Sequence, residues 1–89
     1  MSGIAGYRKR TKVEIEASMI ETIINNKGPI IVTKIMYRAN LSHPQLKIYL
    51  VDMIGRGLLE REEKKIRVTP NGAKFYEAFK KSQDIMRGW

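Results

Sequence analysis

Hydrophobic residues recur at helical spacing in four stretches of the chain, and each stretch follows a threonine or serine that can cap a helix. Thr11 and Glu14 form a capping box for the first helix, in which each side chain bonds the backbone of the other residue. The predicted buried stripe of this helix is Val13, Ala17, Ile20 and Ile24. Met19 and Ile23 lie beside this stripe. The helix should end at residues 25–29, because Gly28 suits a left-handed cap and Pro29 cannot continue a helix.

Two shorter helices separated by a tight turn are predicted next. Thr33 is the expected cap of the second helix, whose inward residues should be Ile35, Met36 and Ala39. After a turn at residues 40–41, Ser42 and Gln45 form another capping box, with Pro44 in the first turn, where its missing N–H is harmless. This third helix should reach about Arg56. Its inward residues should be Leu46, Leu50, Met53 and Ile54, and Tyr49 should lie on the flank of this face.

The strand predictions come from shorter patterns. Residues 30–32 are a β-branched run that predicts a short strand. Residues 58–61 and 65–68 predict a hairpin around a charged turn at 62–64. Thr69 and Pro70 then open the last helix as its cap and first residue. The order helix, strand, helix, turn, helix, hairpin, helix predicts a mostly helical α+β fold, the winged helix-turn-helix.

Two segments resemble known proteins of this architecture. The run Ile35-Met-Tyr-Arg-Ala-Asn-Leu-Ser42 resembles the second helix and turn of small archaeal DNA-binding proteins of the Sulfolobus ten-a chromatin type. Gly57-Leu-Leu-Glu60 and Ile66-Arg-Val-Thr-Pro-Asn-Gly72 resemble the wing and last-helix entry of winged-helix regulators generally. The resemblance covers about residues 12–86. It implies a protein that binds duplex DNA, usually as a dimer whose last helices pair as an antiparallel coiled coil, although the last helix here is shorter than in that family.

The chain length predicts one domain, because 89 residues are too few for two cores. Residues 1–10 contain two glycines and three consecutive basic residues without an amphipathic period, so they predict a flexible basic arm. The winged helix domain is expected at 11–76, and residues 70–89 form the C-terminal helix, which we expect to mediate dimerisation.

The charge balance points to a polyanionic partner. Seventeen lysines and arginines face nine acids, for a net charge of +8. Residues 13–28 are the exception, with Lys27 against three glutamates for a net charge of −2. The predicted positive surface therefore lies away from the first helix, and the partner we expect is double-stranded DNA.

Several classes of site have no support in the sequence. There is no cysteine, which fits a reducing cytoplasm and removes thiolate chemistry and disulfides. His43 is the only histidine, so no metal site is predicted. No phosphate-binding glycine loop or nucleophile, base and orienter set occurs, so we predict no catalytic residues, no cofactor and no small-molecule substrate. No run is long and apolar enough for a membrane span.

The expected location of the protein is cytoplasmic and nucleoid-associated.

The predicted DNA contacts come from four parts of the fold. The recognition helix at 42–56 should enter the major groove, where the period turns Gln45, Ile48 and Asp52 outward, with Lys47 and Val51 at the sides. The wing at 61–67 should approach the backbone or minor groove. The predicted DNA-binding residues are Arg8, Lys9 and Arg10 in the arm, Lys34, Arg38, Ser42, His43, Gln45 and Lys47 in the helices, and Arg61, Lys64, Lys65 and Arg67 in the wing.

The last helix carries a heptad seam. Gly72, Phe75, Phe79, Ser82, Met86 and Trp89 are spaced three or four residues apart. Phe75 and Phe79 are expected to close the core. The predicted dimer interface is Phe79, Ser82, Met86 and Trp89.

These features leave alternatives open. Sequence-specific regulation of transcription and general coating of chromatin both fit a basic winged helix. A winged helix that binds a protein partner, or an RNA-binding subunit of a larger complex, is the alternative to DNA binding. Gln45 and Ser42 could also act as caps alone, and Ile48 could contact a thymine methyl or pack internally.

Overall fold

The computed structural model describes residues 10–87, and the side chains as far as Asp84. The elements in chain order are α1 (Lys12–Asn25), β1 (Ile30–Ile31), α2 (Val32–Arg38), α3 (His43–Gly55), β2 (Leu59–Glu62), β3 (Lys65–Val68) and α4 (Pro70–Arg87). This order confirms the predicted α+β architecture of a helix-turn-helix followed by a wing. None of the helices in residues 10–87 is long and apolar enough to cross a membrane.

The three strands form one antiparallel sheet in the order β1-β3-β2. Ile30 of β1 pairs with Ile66 of β3, and Leu59 of β2 pairs with Val68. The short strand β1 therefore joins the outer edge of the hairpin and ties it to the segment that leads into α2.

The turn of the hairpin is one residue shorter than predicted. Glu62 still belongs to β2 and pairs with Lys65, so the turn contains only Glu63 and Lys64. Glu63 has a φ of 58°. A positive φ at the first central residue is what the primed two-residue turns require, because their twist matches that of the strands. A two-residue turn with a positive φ thus forms here without a glycine or asparagine.

The core draws on α1, α2, α3 and the sheet. Met19, Ile20, Ile35, Met53 and Ile66 each have 0% of their surface exposed. Phe75 and Tyr76 of α4 are partly buried and pack against this cluster. The start of α4 thus closes the core, as predicted for Phe75.

The predicted buried stripe of α1 is wrong at both ends. Val13 is 46% exposed and Ile24 is 42% exposed, whereas Ile15 and Glu16 are buried. The buried face contains Glu16, a charged residue that a pattern of apolar positions does not count. Its charge is balanced by an ion pair described below.

Three of the four predicted caps are confirmed. The capping boxes of Thr11 with Glu14 and of Ser42 with Gln45 are complete, and the Gly72 N–H donates to Thr69 Oγ1 at 3.0 Å. The predicted Thr33 cap is wrong, because α2 begins at Val32 and its N-cap is Ile31, which makes no side-chain hydrogen bond. Ile31 is the last residue of β1, so the strand leads directly into the helix.

The end of α1 also differs in detail from the prediction. Lys27 is the left-handed residue, with a φ of 61°, while Gly28 takes a φ of 155°. The Asn26 side-chain amide donates to the carbonyls of Gly28 and Pro29, each at 3.2 Å. These bonds hold the turn that leads into β1.

Both ends of the hairpin are bonded to each other in a region we call the hairpin root, residues 57–58 and 69–72. Thr69 Oγ1 donates to the Gly57 carbonyl at 2.5 Å, and the Thr69 N–H donates to the Leu58 carbonyl at 3.2 Å. Gly72 is buried against the same Leu58 carbonyl. The hairpin root thus joins β2, β3 and α4 at one place.

Candidate nucleic-acid interface

The third helix is fixed by its cap and its inner face. The Gln45 N–H donates to Ser42 Oγ at 3.3 Å, and the Ser42 N–H donates to Gln45 Oε1 at 3.0 Å. The inward residues Leu46, Leu50 and Met53 are buried. The cap sets where the helix begins and the buried residues set its rotation, so the opposite face is held outward.

The outward face of α3 is open to solvent. Ile48 is 68% exposed and Val51 is 69% exposed, and Gln45 and Lys47 are also exposed. Val51 was predicted at the side of the helix, but it is as exposed as Ile48. The predicted inner face is confirmed at Leu46, Leu50 and Met53, which are all buried.

A cleft between α3 and β2 brings together three of the predicted DNA-binding residues. His43 and Lys47 line it from α3, and Arg61 lines it from β2. Val32, Leu46 and Leu50 form its apolar floor, and its volume is about 260 Å³. Two elements that are distant in the sequence thus present basic side chains to one opening, which we call the basic cleft.

The acidic residue on α3 is paired. Asp52 Oδ2 lies 3.1 Å from Arg56 Nε and 3.7 Å from Lys12 Nζ. Arg56 also forms an ion pair with the carboxylate of Glu16, which is 1% exposed. Asp52, which the sequence analysis placed on the outward face, therefore has its charge compensated by two cations.

The pKa of the Glu16 carboxyl shows the balance in this network. Burial raises the pKa above its ordinary value, while Arg56 and Lys12 oppose the rise by stabilising the charged form. Nearby Asp52 raises it further. Lys12 at the start of α1 and Arg56 at the C-cap of α3 therefore stabilise the charged form of a carboxyl that burial disfavours.

The wing combines paired and unpaired cations. Arg67 forms an ion pair with Glu60 across the hairpin, and its Nε lies 3.6 Å from Glu62 Oε1. Lys64 and Lys65 are exposed at the tip, and no ion pair with another residue of the described chain engages either of them. They line an open depression of about 780 Å³ with Pro29, Ile31, Glu62 and Glu63. Arg67 thus has local partners, whereas the two lysines are available to a ligand.

The second helix contributes an exposed surface that includes an aromatic residue. Lys34 and Arg38, both predicted to bind DNA, are exposed. Tyr37 lies between them in the sequence and is 74% exposed. Sequence reasoning missed Tyr37, although its spacing of three residues from Lys34 places both on one helix face.

Arg10 has a structural role in the described chain. Its guanidinium donates to the carbonyls of Ala39 and Asn40, each at 2.8 Å. These carbonyls end α2, so Arg10 supplies donors that the helix terminus lacks. Its predicted contact with DNA stays a prediction, and Arg8 and Lys9 lie outside the described residues.

The last helix packs along α1. Tyr76 and Phe79 line a cleft of about 260 Å³ with Glu14, Glu21 and Asp84 among its other walls. Burial raises the pKa of the Tyr76 hydroxyl, and a hydrogen bond with Glu21 adds to the rise. Ser82 is exposed, whereas the side chains of Met86 and Trp89 lie outside the described residues. The predicted dimer seam is therefore described only as far as Ser82.

Metal-binding groups do not come together in the part of the chain that the structure describes. No cluster of three or more histidine, cysteine, aspartate or glutamate side chains there has the arrangement that an ion needs. His43 lies instead in the basic cleft, beside Lys47.

Comparisons with known proteins agree with the geometry. The sequence profile of the winged helix-turn-helix family matches residues 9–87. An uncharacterized protein of Methanocaldococcus jannaschii is 30% identical over 78 residues, which are 88% of this chain and 78% of that protein.

Two solved structures share the fold. Sso10a-2, a DNA-binding protein from Sulfolobus solfataricus, superposes with a TM-score of 0.74 at 17% identity, over 89% of this chain and 84% of that one. MepR, a transcription regulator of the Staphylococcus aureus multidrug efflux pump MepA, superposes with a TM-score of 0.71 at 21% identity, over 84% of this chain and 58% of its own. At these identities the likeness establishes the architecture.

Proposed function

This chain belongs to the winged helix-turn-helix family, and from that premise we propose that it is a non-enzymatic protein that binds duplex DNA. In the proposed complex α3 lies in the major groove, and the hairpin of β2 and β3 lies along the neighbouring backbone or minor groove. The role that follows is regulation of transcription or organisation of chromatin in the nucleoid.

The basic cleft is the observation that carries this proposal. His43, Lys47 and Arg61 approach one opening from the first turns of α3 and from the wing. The N-terminus of α3 adds the partial positive charge of a helix dipole at the same place. A DNA phosphate at this position would contact donors from both the recognition helix and the wing, which fixes the orientation of the duplex.

The solved relatives and the charge pattern support the same assignment. Sso10a-2 is described as a DNA-binding protein and MepR as a transcription regulator. The glutamates of α1 lie elsewhere: Glu16 pairs with Arg56, and Glu14 and Glu21 line the cleft between α1 and α4, not the basic cleft. The other predicted DNA contacts belong to the same proposal: they are Arg8, Lys9, Arg10, Lys34, Arg38, Ser42, Gln45, Lys64, Lys65 and Arg67.

Charge reversal in the basic cleft should weaken DNA binding and its salt dependence. For about six neutralised phosphates, the plot of log affinity against log salt should have a slope near −5 for the wild type. Lys47→Glu with Arg61→Glu should bring the slope to about −3 and weaken binding at least tenfold, because two phosphate contacts are lost. Fluorescence anisotropy of a labelled duplex at several salt concentrations measures both quantities.

The matched control places the same charge change on α4. Lys74 and Lys81 are exposed there, so Lys74→Glu with Lys81→Glu changes the net charge by the same amount. We expect this control to retain a slope near that of the wild type. Equal losses in both double variants would show that net charge alone attracts DNA, and a slope near zero for the wild type would remove the electrostatic mechanism.

We also propose that the protein is a homodimer assembled through the C-terminal helix, residues 70–89. The support is the heptad seam, whose members past the core are Phe79, Ser82, Met86 and Trp89. Phe79 is only half buried by α1, and Ser82 is exposed, so this side of α4 is not covered by the described domain.

Light scattering tests the dimer directly. The wild type should scatter with twice the chain mass, and Met86→Glu with Trp89→Glu should scatter with the chain mass, because charges replace the apolar seam. Glu77→Lys lies on an exposed part of the same helix outside the seam and should leave the dimer intact. A wild type that is monomeric at all concentrations contradicts the proposal.

A further inference from the structure

The centre of the outward face of α3 is apolar. Ile48 and Val51 lie three residues apart, so their side chains are neighbours on one face of the helix. They are 68% and 69% exposed, and together they form what we call the apolar strip. Nothing within the described domain covers the strip, and it occupies the face that the proposed function turns toward the base pairs.

The polar residues beside the apolar strip are held by other bonds. Gln45 Oε1 accepts the Ser42 N–H at 3.0 Å, which turns the amide toward the helix backbone and away from the paired contact that reads adenine. Asp52, whose carboxylate could accept from cytosine, is paired with Arg56 and Lys12. With Gln45 and Asp52 engaged and Lys47 lining the basic cleft, the aliphatic carbons of Ile48 and Val51 are the groups that the strip offers to a base edge.

Charge complementarity identifies the occupant of the strip. The basic cleft, with Lys47 and Arg61, borders α3 on one side, and Lys12 lies beside Ile48 on another opening of about 470 Å³. An apolar centre between cations matches the major groove, where a phosphate backbone runs on each side of the base edges. The only aliphatic group that a standard base pair presents there is the C5-methyl of thymine.

We propose that Ile48 and Val51 recognise pyrimidine C5-methyl groups in the major groove, so that the protein prefers thymine-rich duplexes. The inference rests on the proposed function, since it assigns what α3 reads once the duplex is bound. Both side chains are β-branched and lose little rotamer freedom on ordering, which favours contact with a methyl group. The same chemistry accepts the methyl group of 5-methylcytosine.

Replacing thymine with deoxyuracil tests the assignment, because it removes the methyl groups and leaves every Watson–Crick donor and acceptor in place. The wild type should bind an A·T duplex about tenfold more tightly than its deoxyuracil counterpart, as expected for two buried methyl groups. Ile48→Ala with Val51→Ala should bind both duplexes alike, at about the affinity of the wild type for deoxyuracil. Fluorescence anisotropy at one salt concentration gives all four values.

The controls separate methyl recognition from fold and from DNA binding itself. Val13→Ala with Ile24→Ala removes the same kinds of side chain from exposed sites on α1 and should keep the tenfold preference. A G·C duplex carrying 5-methylcytosine should bind more tightly than the unmethylated one, which shows that the methyl group and not the thymine ring is read. Equal binding of thymine and deoxyuracil duplexes by the wild type overturns methyl recognition alone, whereas binding to no duplex overturns the proposed function as well.

Discussion

Replacing Arg56 with methionine should lower the free energy of unfolding by about 3 kcal/mol at neutral pH, the lower end of the range for a broken buried ion pair. Arg56 is the partner of Glu16, which is 1% exposed, and it also binds Asp52. The effect stays at the lower end because the Arg56 side chain is itself 42% exposed. Since a domain of this size is stable by only about 5–10 kcal/mol, urea denaturation should show the loss clearly.

The pH dependence separates this loss from a packing defect. Burial raises the pKa of Glu16 above its ordinary value of 4.5, so the folded protein holds that proton more tightly than the unfolded chain. The contribution of Glu16 to stability is therefore greatest below pH 4.5 and falls as the pH rises through the raised pKa. Without Arg56 the fall should be larger, so the deficit of the variant should shrink on acidification.

A second variant checks the cause. Glu16→Gln combined with Arg56→Met should recover most of the lost stability, because a neutral amide needs no cation. A deficit that stays constant with pH, or that remains in the double variant, would assign the loss to the Arg56 side-chain packing instead.

Replacing Gly72 with alanine should cost about 3 kcal/mol, although alanine is the better helix former by about 1 kcal/mol. A Cβ at this position would lie 2.1 Å from the Leu58 carbonyl oxygen and 3.0 Å from Val68 Cγ1. The nearest atom belongs to the backbone and also accepts the Thr69 N–H, so it cannot move without opening the hairpin root. Thermal or urea unfolding of the variant measures the cost.

Gly55→Ala is the matched control for this change. Gly55 is exposed at the end of α3, and a Cβ there would meet nothing within 4 Å. We expect this variant to be as stable as the wild type or slightly more so, because only helix propensity changes. If Gly72→Ala proved as stable as Gly55→Ala, the close approach of α4 to Leu58 would not exist in solution.

The parts of the fold that local chemistry decides could be predicted from the sequence. A capping box needs only residues i and i+3, which is why those of Thr11 and Ser42 are confirmed at the predicted residues. The inner face of α3 could likewise be predicted, because it follows from the helical spacing of the apolar residues within that helix. Thr33 failed as a cap because the pairing of β1 with β3, which extends Ile31, depends on residues more than thirty positions away.

The remaining errors share that non-local origin. The ion pair of Glu16 with Arg56 joins residues 40 positions apart, and without it a glutamate has no place on a buried helix face. The left-handed residues Lys27 and Glu63 are set by the turns that close around them and not by their own preference. Arg10 finds its carbonyl partners 29 and 30 residues away.

At the candidate site, the residues that could bind DNA were easier to predict than the way the fold brings them together in space. Charge and period selected His43, Lys47 and Arg61 separately, but only the packing of β2 beside α3 brings them to one cleft. The helical period predicted an outward Asp52, but it could not show the ion pairs of Asp52 with Arg56 and Lys12. It also treated Ile48 as a contact of uncertain purpose, whereas the exposure of Val51 beside it defines a continuous apolar surface.

The bonds at Thr69 have a mechanical consequence for the wing. Because Gly57, Leu58 and Gly72 are all held at the same junction, the hairpin has no hinge where it meets the helices. We therefore expect the hairpin and the first turn of α4 to move as one unit, so that displacement of Glu63 and Lys64 at the tip would also tilt the start of α4.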